Sequence, residues 1–107
     1  MEDLEEALET LVRYGRKEEL EELPGDLSSV AKQMQNIINT GGRYEIVVEE
    51  GEEGAKVTVY TLRRSRRLGT SKYPGWERTK KIAELELSEE EVEEVMELSE
   101  KVAERVS

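Results

Sequence analysis

The sequence predicts an α+β fold: N-terminal helices, an antiparallel sheet of three or four strands, and a C-terminal helix packed on that sheet. Three observations predict it. Apolar residues recur at helical spacing up to Ile38, the period changes to two from Arg43, and it returns to 3.6 after Ser88. At 107 residues the chain is expected to form a single domain, 1–107. Its parts are a helical stretch (1–42), a sheet (43–87) carrying a basic ribbon (63–81), and a terminal helix (88–107).

The elements follow in order. Leu4, Ala7, Leu8, Leu11 and Val12 mark a first helix, with Gly15 as its stop. Arg16 to Leu23, rich in Glu and Leu and ended by Pro24-Gly25, reads as a second helix. Asp26 reads as the N-cap of a third, whose stripe is Leu27, Val30, Ala31, Met34, Ile37 and Ile38. Gly41-Gly42 closes it. From Arg43 to Glu50, Tyr44, Ile46 and Val48 alternate with Glu45, Val47 and Glu49. From Ala55 to Arg63, Val57, Val59 and Thr61 alternate with Lys56, Thr58, Tyr60 and Leu62. With the turn Gly51 to Gly54 between them, these two runs make a β-hairpin. A third strand is expected near Thr79 to Leu87, with Ala83, Leu85 and Leu87 on one face. Ser88 and Glu91 form a capping box for the last helix, whose stripe is Val92, Val95, Met96, Val102, Ala103 and Val106. That stripe suits packing on the sheet; Val92, Val95, Ser99, Val102 and Val106 also fit a heptad seam between two copies. The second face of the sheet is expected to be open or covered by another subunit.

Composition removes several functions. Cys and His are both absent, so disulfides, thiolate nucleophiles, sulfur metal sites and the commonest general base are gone. No apolar run approaches the roughly 20 residues of a membrane span. The acidic N-terminus lacks the apolar stretch of a secretory signal, and a soluble cytoplasmic protein is expected. No serine has a histidine to activate it, and no pair of carboxylates is marked for acid–base work. Glu52-Glu53 and Glu89-Glu90-Glu91 lack EF-hand spacing, and Gly41-Gly42 and the Gly51 to Gly54 turn match no phosphate loop. No catalytic residue, metal or cofactor is therefore expected, and the chain does not read as an enzyme. Abundant Glu, Lys and Arg with few Asn and Gln is the composition of thermophile proteins, shared with designed ones.

The formal net charge is −10, which argues against nucleic acid as a partner. The charge is segregated, however. Residues 1–62 carry −9 and residues 82–107 carry −8, whereas residues 63–81 carry +7. The bases of that middle segment are Arg63, Arg64, Arg66, Arg67, Lys72, Arg78, Lys80 and Lys81, opposed only by Glu77. Eight of 16 bases in 19 residues is a clustering that distributed ion pairing does not require. Tyr73 and the single Trp, Trp76, flank Pro74-Gly75 in the same segment, a turn expected to hold both rings outward. Arginines supply phosphate contacts and exposed rings supply stacking surfaces for unpaired bases. The ten residues named here as bases and rings are the expected nucleic-acid-binding set, with Tyr60 as a further stacking surface. The competing expectation is a structural or protein-interaction module, a designed scaffold included, whose Arg-rich ribbon pairs with the acidic helices. RNA in place of DNA is a third reading.

Residues 43–106 resemble the positive-cofactor-four type of coactivator. In that type a hairpin leads through a Pro-Gly-bearing basic loop to a strand and a Leu-Ser-capped helix, matched here by Pro74-Gly75 and Leu87-Ser88-Glu89-Glu90. Those proteins place the sheet first and have no helical preface. The whole chain is more similar to the ThermoDBP group of thermophilic archaea in element order, composition and basic-aromatic segment. That resemblance implies a single-stranded DNA-binding protein that forms homo-oligomers and holds the strand in a basic, hydrophobic cleft. A double-stranded RNA-binding domain shares the helix, sheet, helix order but needs a basic start to its last helix, where Ser88 to Glu94 is acidic.

Overall fold

The computed structural model describes residues 3–66 and 71–107. Helix α1 (Leu4–Tyr14) starts where the Asp3 carboxylate accepts the Glu6 amide at 2.8 Å. All five residues of its predicted stripe are buried. Helix α2 (Lys17–Leu20) is a single turn, shorter than the expected Arg16 to Leu23, because the chain bends toward Pro24. Its Glu19 carboxylate accepts the Arg16 amide at 2.8 Å and the Arg105 guanidinium at 2.6 Å. Arg105 above all, then the Arg16 amide, hold the Glu19 carboxyl below the usual carboxylate range. In helix α3 (Leu27–Asn39) Asp26 occupies the expected N-cap position, and its carbonyl accepts the Val30 amide at 3.1 Å, but with αR backbone angles its side chain makes no capping bond. The Pro24 carbonyl accepts the Leu27 amide instead. Gln35 Nε2 donates to the Val12 and Gly15 carbonyls at 3.1 and 3.0 Å, satisfying acceptors at the end of α1.

Strands β1 (Arg43–Gly51), β2 (Gly54–Arg64) and β3 (Trp76–Ser88) form one antiparallel sheet in that order. The register places Ile46 beside Val59, Val59 beside Ala83, Val48 beside Val57, and Val57 beside Leu85. These residues, with Tyr44, Ala55 and Leu87, make the face that the helices cover. Gly54 has φ +142°, and a Cβ there would lie 1.9 Å from the Leu87 carbonyl oxygen, so glycine is what lets β3 approach the turn. The third strand is longer than the sequence predicts, running back to Trp76, which pairs with Arg64. Two irregularities interrupt the β2–β3 register, leaving Ile82 and Thr79 as extra residues in β3.

Helix α4 (Glu89–Val106) begins with the expected reciprocal cap: Ser88 Oγ accepts the Glu91 amide at 3.2 Å, and the Glu91 carboxylate accepts the Ser88 amide at 3.0 Å. Val95, Leu98, Ser99 and Val102 are buried against α1 and the sheet. The stripe is thus used within the chain, and only Val106 at its end is widely exposed. No helix among the described residues is long and apolar enough to cross a membrane.

Leu8 is wholly buried between α1 and its neighbours. Leu8→Ala should lower the urea midpoint at unchanged slope, by about 3 kcal/mol of stability. Val106→Ala should stay within about 0.5 kcal/mol of the parent.

Candidate nucleic-acid interface

The basic segment is built on the β2–β3 hairpin. Arg63 lies opposite Glu77 and Arg64 opposite Trp76, and the Ser65 amide donates to the Gly75 carbonyl at 2.9 Å. The ribbon is therefore paired strand up to Arg64 and again from Trp76, with Ser65, Arg66 and residues 71–75 outside both strands. Arg67 lies outside the described residues. On the return side the Trp76 amide donates to the Tyr73 carbonyl at 3.1 Å, with Pro74 and then Gly75, at φ +82°, between them. This is the residue pattern of a type II turn, which needs glycine at its third position. Ser71 Oγ accepts the Tyr73 amide at 3.1 Å and donates to the Trp76 carbonyl at 2.6 Å, bracing the turn from inside.

The turn does not hold its rings outward, as the sequence suggested. Tyr73 and Trp76 are both half-buried, because the loop is drawn back over the start of β1. Glu45 draws it. This β1 carboxylate is fully buried, with Oε2 accepting the Lys72 amide at 2.7 Å and Oε1 accepting Arg78 Nε at 2.5 Å. Lys72 Nζ donates to the Ile46 carbonyl at 3.1 Å and pairs with Glu5 of α1. The Arg78 guanidinium also lies over the Tyr60 ring, 4.3 Å from its centroid. The ring expected to offer a further stacking surface thus already carries a cation.

Between the drawn-back turn and the helices lies a cleft of about 470 Å³. Helix α1 contributes Glu9 and Arg13, α3 contributes Ile38, β1 contributes Arg43 and Tyr44, and β2 contributes Leu62. Tyr73 and Trp76 complete the lining. The guanidinium carbons of Arg64 and Arg43 stand 5.4 and 6.0 Å from the Trp76 ring centroid. Burial pushes the Tyr44 phenol up to about 12, with the Glu9 carboxylate acting in the same direction. Tyr73 is raised as well, again first by burial.

Among the described residues, four of the expected phosphate ligands have carboxylate partners: Arg63 with Glu77, Lys72 with Glu5, Arg78 with Glu45, and Lys81 with Glu84. Arg78 is committed to a buried acid. The other pairs are at least partly exposed, of the kind worth about 0–1 kcal/mol, and readily exchange one anion for another. Arg64, Arg66 and Lys80 have no carboxylate partner among the described residues, and neither do Arg13 and Arg43. Sequence reasoning missed the cleft's Glu9, Arg13, Arg43 and Tyr44 and the clasp residue Glu45. Arg43 was within reach of it: the hairpin register sets it opposite Leu62, two residues from Arg64. Among the described residues no group of acidic side chains is placed to hold a metal ion. No family model, no curated protein and no solved structure matches the chain.

Glu45→Ala removes the only carboxylate from a buried ion pair and leaves Arg78 and the Lys72 amide without their acceptor. A loss of about 3 kcal/mol in urea unfolding is expected. A red shift of Trp76 emission should accompany it in the folded state as the loop loosens. A titration of tyrosine absorbance should show one phenol still neutral beyond about pH 11, above the ordinary value near 10. Tyr44→Phe should remove that late component.

Proposed function

We propose that the chain binds single-stranded nucleic acid, DNA foremost, largely without regard to sequence. The observation that carries this reading is the cleft: two half-buried rings, Tyr73 and Trp76, at the root of a basic hairpin, with Arg43 and Arg64 beside the indole. Rings supply sequence-tolerant stacking at about 1–3 kcal/mol per base, and the arginines supply phosphate contacts along the strand. Arg64, Arg66, Lys80 and Arg43 are the first phosphate ligands; Arg63, Lys72 and Lys81 join by exchanging an exposed carboxylate for a phosphate. The acidic remainder of the chain repels a strand elsewhere and so confines it to this hairpin. Self-association into a homo-oligomer belongs to the same proposal, and light scattering measures it.

A second reading, a structural or protein-interaction module, draws on the Lys72–Glu5 and Arg78–Glu45 pairs, which join the basic segment to the chain's own acids.

Titration of a fluorescent oligothymidylate at several salt concentrations separates the two. With about four phosphates engaged, log affinity should fall with log salt at a slope near −3, from roughly −0.7 per phosphate. Trp76 emission should be quenched on binding, and Trp76→Leu should weaken binding about tenfold. No binding at low ionic strength leaves the second reading standing. A competition between matched RNA and DNA strands sets the preference, since only RNA offers the 2′-hydroxyl.

A further inference from the structure

The cleft has a lining that phosphate binding alone does not account for. Glu9 stands in it with the rings and arginines, yet it has no ion-pair partner among the described residues. Its charge acts on both tyrosines of the cleft, Tyr44 and Tyr73. Three ligand chemistries can be weighed against this lining. A quaternary ammonium suits rings and a carboxylate, but it would have to sit beside Arg13 and Arg43. A small anion suits the arginines, but Glu9 would oppose it. A nucleotide suits every group: a neutral ring for Tyr73 and Trp76, an edge of N–H donors for Glu9, and a phosphate for the arginines. The volume, about 470 Å³, falls within the roughly 300–1,000 Å³ of small-ligand sites.

The bases differ at the edge that a carboxylate reads. Thymine and uracil offer one N–H between two carbonyl oxygens, which a carboxylate repels. Adenine and cytosine offer an amino group beside an acceptor nitrogen. Guanine offers two adjacent donors, N1–H and the N2 amino group, matched to the two oxygens of a carboxylate. We infer that Glu9 makes this cleft a guanine-preferring slot for one unpaired base. The inference rests on the single-stranded binding reading and adds a base preference at a single position. The remainder of the strand is held through phosphates and stays free of sequence.

The test compares a short oligothymidylate with the same strand carrying one central guanosine, by anisotropy at low salt. The guanosine strand should bind about tenfold tighter, within the range of a good bidentate base contact. Hypoxanthine in place of guanine lacks the N2 amino group and should lose most of that gain. Glu9→Gln should bind the thymidine strand at least as tightly as the parent, because the charge that repels thymine is gone, and its urea midpoint should match the parent's, which shows the variant folded; its preference for guanosine should fall below about twofold. Equal affinity of the parent protein for the two strands overturns the inference and leaves single-stranded binding intact. A guanosine preference that survives in Glu9→Gln overturns it too. If neither strand binds, both readings fall together.

Discussion

Glu45 occupies the face of β1 turned away from the helices, yet its carboxylate is sealed from water by the loop that it binds. Burying an unpaired carboxylate would cost several kcal/mol, so each oxygen must find a donor. One finds the backbone amide of Lys72, the other the guanidinium of Arg78. These two donors come from opposite sides of the Pro74-Gly75 turn. Satisfying one side chain therefore fixes both arms of the turn against β1, and the position of Tyr73 and Trp76 follows. Without this clasp the Lys72 contacts to Glu5 and Ile46 and the packing of Tyr73 and Trp76 in the cleft would remain to hold the loop near the helices. The cleft is thus a consequence of one buried acid.

The same clasp divides the basic segment into two kinds of charge. Arg78 is structural: it neutralises a buried group and covers Tyr60, and moving it would expose an unmatched charge. Arg63, Lys72 and Lys81 hold exposed or partly exposed partners, in a high dielectric where one anion replaces another at little cost. Arg64 and Arg43 are held by the indole rather than by acids, which leaves their donors available to an incoming anion. Ion pairing in the free chain and phosphate binding are therefore not opposed alternatives for most of this segment. On the proposed binding reading, the acids act as placeholders that keep the long cations ordered, and ordering them beforehand lowers the entropy that binding would have to remove.

The sheet, its hairpin, the reciprocal cap of α4 and the aliphatic core were legible because each rests on a local pattern: alternation, a Gly-bounded turn, Ser88 three residues before Glu91, and spacing of Leu and Val. The basic segment was legible from charge count alone. What the sequence hid is long-range. Glu45 reads as one more solvent-facing acid in an alternating strand, and nothing local tells that a loop from Ser71 to Tyr73 will close over it. Glu9 and Arg13 read as the polar face of an amphipathic helix, because only the packed arrangement turns that face toward Trp76. The rings were expected to point outward because a Pro-Gly turn fixes only the local bend, whereas Lys72 fixes where the turn lies.

The early start of β3 has its own physical reason. Strict alternation back from Leu85 would send Lys81 toward the helix-covered face, where a lysine has no partner. The extra residue at Ile82 reverses the parity, so Lys81 pairs with Tyr60 on the open face and reaches Glu84. Continued in that phase, Arg78 would have faced the helices, away from Glu45. The second extra residue, Thr79, reverses the parity again and sets Arg78 beside Leu62 and Trp76 beside Arg64. Arg78 is thereby brought to the face on which Glu45 waits. Two compensating bulges let one strand keep its lysine out of the core and still deliver Arg78 to Glu45. They also disrupt the outer edge of β3, which together with Lys80 and Lys81 makes that edge a poor template for pairing with another strand. The irregularity that blurred the strand in the sequence is what brings Arg78 to the buried acid that holds the turn.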